Sequence, residues 1–303
     1  MKPFSPTLDL TTTSLVWGAK TYVMGIVNVT PDSFSGDGLI GQSDAVAAAV
    51  AQAEAQVQAG ADLIDIGGES TRPGSQPVPL EAELQRVIPV IQALHGRISV
   101  PISIDTYKAE VARVALAAGA EIVNDVWGLR RDPEMASVVA SQEAAVIIMH
   151  NRSRPQDLEQ TPGLGGRYVG VRYEDLIRDI HHELEIGLEL AVQAGIPRER
   201  IILDPGIGFG KTVEQNIELV DRLGELKALG YPLLVGPSRK SFVGYTLNLP
   251  PQDRLGGTAA AVTLCIERGA DIVRVHDVGM MQQVARFTDA VVRAQSPNRD
   301  SCD

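Results

Sequence analysis

Residues 201–211 read Ile-Ile-Leu-Asp-Pro-Gly-Ile-Gly-Phe-Gly-Lys, and Asp204 is the residue among them best equipped for chemistry. Three apolar residues lead into its carboxylate, and Pro205 with three glycines opens a tight loop behind it. A short apolar run bounded by Pro and Gly is the pattern of a buried parallel strand feeding a crossover helix. Folds of that kind place their chemistry at the carboxyl ends of the strands. Thr212 is expected to N-cap the following helix, with Val213, Ile217 and Val220 on its packed face. An Asp in this position can equally cap its own loop by accepting backbone N–H bonds. Polar residues also end apolar runs at Asn28, Asp105, Asn124 and from Arg274 to His276. One polar strand end is a turn, whereas a series of them describes a site.

The series divides by chemistry. Asp105, Asn124 and Asp204 offer in-plane hydrogen-bond acceptors, with a donor from the amide, which suits a flat heterocycle bearing amino and ring N–H groups. Arg72, Lys240, Arg274 and His276, with loop amides, suit phosphate oxygens. Arg274 and His276 are two apart on a strand and share a face. Arg274 can instead form a buried ion pair with an interior Asp, and Asn124 can satisfy strand-end backbone groups. Arg239 competes with Lys240, and spacing does not choose between them. His150 is a weaker candidate. His181 and His182 sit in a long amphipathic helix and read as surface or interface residues, and His95 beside Gly96 ends a helix.

The elements needed to position these groups can be read in order. Strands are expected at 21–29, Leu63–Ile66, Val100–Ile104, Ile122–Asn124, Ala145–Met149, the run into Asp204, Leu233–Val235 and Ile272–Val275. Helices alternate with them, among them Asp44–Ala59, Leu80–Leu94, Tyr107–Ala118 and Tyr173–Ala194. The segment from Asn151 to Gly170 lacks periodicity and reads as a mobile loop. Eight strand–helix units in about 275 residues predict an α/β fold, a single-domain (β/α)8 TIM barrel spanning 21–295. Residues 1–20 read as an N-terminal arm or extra strand, and 296–303 as a disordered tail. A weak repeat supports the count: Ala59-Gly-Ala-Asp, Ala118-Gly-Ala-Glu and Arg268-Gly-Ala-Asp each stop a helix at Gly before a strand. A doubly wound sheet would normally carry G-x-G-x-x-G after its first strand, where this chain has Asn28-Val-Thr-Pro-Asp-Ser-Phe-Ser.

Composition narrows the partners. With 27 basic against 38 acidic residues the formal net charge is −11, which argues against nucleic acid. An anionic ligand would have to be met by a local gathering of positive charge. No apolar run has membrane-spanning length, and 1–20 do not form a signal peptide. Two cysteines exclude a disulfide scaffold and fit a reduced, cytoplasmic setting, with Cys265 as a small buried thiol.

Several stretches together resemble the dihydropteroate synthase family of pterin-binding enzymes. They are Val23-Met-Gly-Ile-Val-Asn-Val-Thr-Pro-Asp-Ser-Phe-Ser, Asp65-Ile-Gly-Gly-Glu-Ser-Thr-Arg-Pro-Gly, Ile104-Asp-Thr-Tyr, Asn124-Asp and Ile148-Met-His. Asp204-Pro-Gly-Ile-Gly-Phe-Gly-Lys-Thr, Gly236-Pro-Ser-Arg-Lys-Ser-Phe and Val273-Arg-Val-His-Asp-Val complete the set, in order, over residues 20–295. The resemblance implies a (β/α)8 barrel in which 4-aminobenzoate displaces diphosphate from (7,8-dihydropterin-6-yl)methyl diphosphate, giving 7,8-dihydropteroate with Mg2+ present. It implies that Asp105, Asn124, Asp204 and Lys240 hold the pterin, with Met149 packing against it. Arg72, Arg274 and His276 match the diphosphate and loop contacts. Thr71, Pro73, Phe209, Lys240 and Ser241 match the aminobenzoate surround, and Asn28 matches the metal contact. Asp204, Lys240, Arg274 and His276 are the expected catalytic set. The loops Asn28–Ser35 and Thr71–Gly74 match mobile substrate loops, sulfonamides are the family's inhibitors, and a cytoplasmic homodimer is implied, with the last two helices as candidate mates. Two other functions compete: a methyltransferase domain acting between methyltetrahydrofolate and a corrinoid protein, and a non-catalytic pterin-binding protein. The first has no need of a diphosphate clamp, and the second would bind pterin without releasing diphosphate.

Overall fold

The computed structural model describes residues 5–30, 42–70 and 75–293. In chain order these form an antiparallel pair, β1 (Thr7–Asp9) and β2 (Ser14–Val16), then β3 (Tyr22–Asn28), α1 (Gln42–Gln58), β4 (Leu63–Gly67), α2 (Leu80–Leu94), β5 (Ile102–Asp105) and α3 (Ala109–Ala117). There follow β6 (Ile122–Asp125), α4 (Met135–Ser141), β7 (Ala145–Met149), a second antiparallel pair β8 (Leu158–Thr161) and β9 (Gly165–Tyr168), and α5 (Leu176–Gln193). The chain continues with β10 (Ile201–Asp204), α6 (Val213–Asp221), β11 (Leu234–Val235), α7 (Ser241–Leu247), α8 (Leu255–Glu267), β12 (Ile272–Val275) and α9 (Val278–Val292).

Eight of the strands form one parallel sheet in the order β10-β7-β6-β5-β4-β3-β12-β11. A parallel bridge from Leu203 to Leu233, with Leu203 N donating to Pro232 O at 3.0 Å, brings its two ends together. The fold is the (β/α)8 barrel that the strand count predicted. The three repeated Gly stops have a common cause. Gly60, Gly119 and Gly269 take φ of +97°, +117° and +97°, left-handed helix exits that a side chain would strain.

Period-two alternation sorts every barrel strand into an inner and an outer row. The outer row, including Val23, Ile64, Ile104, Val146, Leu203 and Val273, joins the helices in one large apolar core. The inner row is uniformly apolar at its amino-terminal end. There Met24, Leu63, Ile122, Ile147, Ile202, Leu234 and Ile272 form a separate cluster. Leu8 and Leu15 of the β1–β2 hairpin, 0% and 1% exposed, plug this end. Two steps further along the same inner rows stand Asp65, Asn124, Met149, Asp204 and Arg274, with Asp105 and then His276 on the same faces. The barrel is therefore sealed by hydrocarbon below and lined mainly by polar groups above, with Ile26 and Met149 among them.

Two expectations are corrected. The segment 151–170 is not a featureless loop, because β8 and β9 pair from Leu158↔Tyr168 to Thr161↔Gly165. Tyr245 Oη and Arg254 Nη2 donate to its Gly165 and Leu164 carbonyls at 3.0 and 2.8 Å, so contacts distant in sequence hold a hairpin that carries no apolar alternation. On α6, Thr212 does cap the helix in a capping box with Gln215, but Ile217 is 47% exposed. Asn216 takes the packed position with Leu219 and Val220, because its side chain bonds Gly208 N and the carbonyls of Lys211 and Thr212. Cys265 is fully buried in α8, as expected. The expectations for 31–41, for Thr71–Gly74 and for 296–303 concern residues outside those described.

Candidate functional site

At the carboxyl end of the barrel, Arg274 is the hub of the polar row. Its Nε lies 2.6 Å from Asp65 Oδ2 and its Nη2 2.7 Å from Asp105 Oδ2. Asn124 Nδ2 donates to the same Asp65 oxygen at 3.0 Å. The parallel register sets this convergence, aligning Asp105 with both Gly67 and Asn124. Burial opposes the Arg274 cation, but Asp65 and Asp105 outweigh it and hold its pKa above the ordinary value. Asp105 is pushed up to about 7, chiefly by burial, with Arg274 opposing and Asp65 adding repulsion. The interior ion pair foreseen as one use of Arg274 is present, in the same place as the expected ligand contact. The Oδ1 atoms of Asp65, Asp105 and Asn124 are buried without a hydrogen-bond partner. An orphaned acceptor carries a desolvation penalty that a donor-bearing ligand would relieve.

Asp204 ends β10 beside Met149 of β7 and is 6% exposed. Its Oδ1 accepts from Gly206 N at 2.7 Å, so the loop-cap reading is also correct as far as one oxygen goes. Burial raises its pKa, while Lys240, the Gly206 N–H, Lys211 and Arg274 hold it down. Lys240 is lowered to about 8 by burial, against the pull of Asp204. Its Nζ donates to Ile207 O and lies 4.4 Å from the centre of the Phe209 ring. Its rival Arg239 is placed differently. Arg239 has φ +55° and turns to an ion pair with Asp277, its Nε 2.9 Å from Oδ2. His276 follows β12 with Nδ1 3.0 Å from Ser238 Oγ, and Ser241 opens α7, half-buried. Asn28 ends β3 half-buried opposite Gly67.

Of the expected site residues, Asn28, Asp105, Asn124, Met149, Asp204, Phe209, Lys240, Ser241, Arg274 and His276 lie at this carboxyl end. Thr71, Arg72 and Pro73 are outside the described residues. His181 and His182 sit on the outer helix α5, 33% and 77% side-chain exposed and beside Glu185, in keeping with a surface role. Three participants escaped the sequence reading. Asp65 was quoted within a motif yet given no role, although its place two residues after Leu63 put it on the inner row. Lys211 is 1% exposed where a Lys in a glycine-rich loop reads as solvated. Ser238 gave no signal of its own beyond its neighbours Arg239 and Lys240.

Comparison with known proteins places the chain in a family. Residues 24–276 match the model of the pterin binding enzyme family. A dihydropteroate synthase of Synechocystis is 50% identical over 291 residues, spanning 96% of each chain. Among solved structures, Clostridium difficile dihydropteroate synthase, determined in the presence of pteroic acid, superposes with a TM-score of 0.83 at 49% identity, over 91% of this chain and 98% of that one. The Xanthomonas albilineans enzyme in complex with 7,8-dihydropteroate gives 0.82 at 39%, over 96% of this chain and 100% of that one. This chain belongs to the pterin-binding enzyme family, and within it to the dihydropteroate synthases.

Proposed function

We propose a division of labour among the residues at the barrel mouth for the family's reaction. The reaction is dihydropteroate synthesis: the amine of 4-aminobenzoate attacks the exocyclic methylene of (7,8-dihydropterin-6-yl)methyl diphosphate. A C–N bond forms, the C–O bond breaks, diphosphate departs and the amine loses a proton. The observation that carries the pterin assignment is the trio of unpartnered acceptors at Asp65, Asp105 and Asn124, beside the Asp204 carboxylate. A pterin edge presents an amino group and ring N–H donors in one plane, matching a surplus of acceptors with donors. Met149 packs against the ring, and Lys240 supplies a donor from the opposite wall.

As the C–O bond lengthens, positive charge develops on the methylene and spreads into the electron-rich dihydropterin. Asp204, fixed by Gly206 N before the substrate arrives, stabilises that charge without reorganisation. Arg274 and His276 are assigned to the departing diphosphate, as is Arg72 by resemblance. Phe209 and Ser241 are assigned to the aminobenzoate side, with Thr71 and Pro73 added by resemblance alone. The aniline nitrogen is nucleophilic near neutral pH, so no strong general base is assigned.

Mg2+ fits this chain as a partner of the substrate rather than as a resident of a protein cage. Among the described residues no group of three or more His, Cys, Asp or Glu side chains could hold a metal ion. Mg2+ takes one or two protein oxygens and completes its shell with water and substrate phosphate, and the Asn28 amide oxygen is a hard donor of that kind. When bound, the ion would neutralise diphosphate charge.

The assembly proposed is a homodimer through the outer helices, in the cytoplasm. Leu255 and Leu264 on α8 and Met280, Phe287 and Val291 on α9 are all at least 36% exposed, and α8 and α9 pack side by side. Grouped large apolar side chains of this kind mark an association surface. Among the described residues no helix is long and apolar enough to cross a membrane. The reaction is tested by measuring diphosphate release from the pterin substrate and Mg2+, with and without 4-aminobenzoate. Aminobenzoate-dependent release with stoichiometric dihydropteroate is expected, whereas tight pterin binding without release would return the chain to the methyl-transfer or silent-binding functions.

A further inference from the structure

The loop from Asp204 to Thr212 is organised around a side chain that the reaction as described leaves unused. Lys211 is the largest fully buried side chain in the described molecule. Its Nζ lies 2.9 Å from Gly206 O, 3.1 Å from Phe209 O and 2.9 Å from His150 Nδ1. With Nδ1 as an acceptor, the tautomer favoured by the Glu183 carboxylate beside Nε2, three acceptors surround one amine, and only the ammonium form supplies three N–H donors. The imidazole then carries its proton on Nε2. That nitrogen lies 3.3 Å from Glu183 Oε2, and Glu183 is in turn held by Arg152, whose Nε is 2.5 Å from Oε1. His150 is driven down to about 3, chiefly by burial and then by the Lys211 charge, so it stays neutral and keeps Nδ1 free to accept. Burial also pulls Lys211 well below its ordinary value, with Asp204 and Glu183 opposing and Lys240 and Arg152 adding to the pull.

The two carbonyls that Lys211 grips bracket Ile207, Gly208 and Phe209. Within that bracket, Ile207 O accepts from Lys240, and the Phe209 ring lies against the same ammonium. The flanking groups are tied as well: Gly206 N to Asp204, Gly208 N to Asn216 Oδ1 at 2.6 Å, and Gly210 O to Tyr173 Oη at 2.9 Å. A long apolar side chain would fill the same volume at lower solvation cost, yet a cation is buried here. Lys211 is also one of the positive charges that oppose the burial-driven rise in the Asp204 pKa.

We propose that Lys211 is a positioning residue for dihydropteroate synthesis, whose buried ammonium clamps the Gly206–Phe209 turn against His150 and serves Asp204 as a fixed countercharge. The inference rests on the reaction assigned above. It separates two effects. The clamp sets where Phe209 and Lys240 stand and so governs the aminobenzoate side. The charge sets the pH at which Asp204 ionises, in company with Lys240 from the turn before α7 and Arg274 from β12.

The test is steady-state kinetics across pH on the full-length wild type, Lys211→Met, Lys211→Arg and His150→Gln, with thermal melting alongside. In Lys211→Met the KM for 4-aminobenzoate should rise about tenfold, and the acid limb of kcat/KM should move up by about one pH unit. Lys211→Arg keeps the charge and should restore the acid limb while leaving the aminobenzoate KM raised. His150→Gln keeps the ammonium but weakens the clamp, so its acid limb should match wild type with a smaller rise in that KM. A Lys211→Met enzyme with wild-type pH profile and KM values, or one that loses efficiency equally for both substrates, overturns the proposal. If Lys211→Met does not fold, Lys211→Arg and His150→Gln decide it: an unchanged aminobenzoate KM in both overturns it. A wild type that makes no dihydropteroate would instead refute the reaction on which the inference rests.

Discussion

Replacing Asp204 by Asn isolates the charge on which the proposed chemistry depends. The amide is nearly isosteric, and its oxygen can still accept from Gly206 N, now 2.7 Å from Oδ1, so the loop keeps its cap. What disappears is a full negative charge facing the developing pterin cation. At an effective dielectric of about 20 and a separation of about 5 Å, that interaction is worth about 3 kcal/mol. Lys240, Lys211 and Arg274 all act on the same carboxylate and offset part of it. A net loss of about 2–3 kcal/mol, or roughly 30- to 150-fold in kcat, is the expected outcome. The new amide N–H group also faces ring N–H donors, leaving them mispaired, so the KM for the pterin diphosphate should rise by about tenfold. The assay is dihydropteroate formation at saturating pterin substrate and Mg2+, with melting temperature as the control for folding. An Asp204→Asn enzyme that folds and retains kcat within about threefold of wild type would refute electrostatic stabilisation of the cation by this residue.

Burial lowers the Lys240 pKa to about 8, and its role is that of a cation, so kcat/KM for the pterin substrate should fall as pH rises through about 8. Lys240→Met should be lower by about 10²-fold and lack that alkaline limb, which pH–rate profiles of both proteins will show. Gly206 has φ +69°, and a Cβ there would stand 1.9 Å from His150 O. Gly206→Ala should therefore cost about 3 kcal/mol or more in urea unfolding, combining left-handed strain with a backbone clash. Phe287, 75% exposed on α9, is placed in the proposed dimer interface. Phe287→Asp should shift the sedimentation profile from dimer to monomer while leaving the melting of the barrel nearly unchanged.

The barrel was legible because its strands are buried on both faces, which writes each as a short apolar run, and because Gly60, Gly119 and Gly269 mark helix exits in a repeated phrase. The strand-end site was legible by the same geometry, since a polar residue closing an apolar run must emerge at the carboxyl rim. What the sequence did not reveal depends on contacts distant along the chain. Arg274 meets Asp65 across 209 positions, and no local pattern announces that pairing. Likewise β8 and β9 are mostly polar and half-buried, so their hairpin has no apolar alternation to read, while Tyr245 and Arg254 that secure it lie some 80 and 90 positions away. Ile217 misled for the opposite reason. Its spacing fits a packed helix face, but Asn216 has hydrogen-bond partners available only after the loop has folded.

Lys211 sharpens the same distinction between residue type and residue surroundings. A lysine in a glycine-rich loop ordinarily faces water, yet this one is held by three acceptors on the two strand ends that carry His150 and Asp204 and on the loop between β10 and α6. Those acceptors exist because Gly206, with its left-handed backbone, brings its Cα close beneath His150 O. The glycines of Asp-Pro-Gly-Ile-Gly-Phe-Gly therefore do more than turn the chain. They let two strand ends approach closely enough to cage a cation, and the cage fixes the carbonyls from which Lys240 and Phe209 take their positions. In this barrel Lys240 and Phe209 stand on a turn of backbone carbonyls, and the buried ammonium below that turn sets its shape.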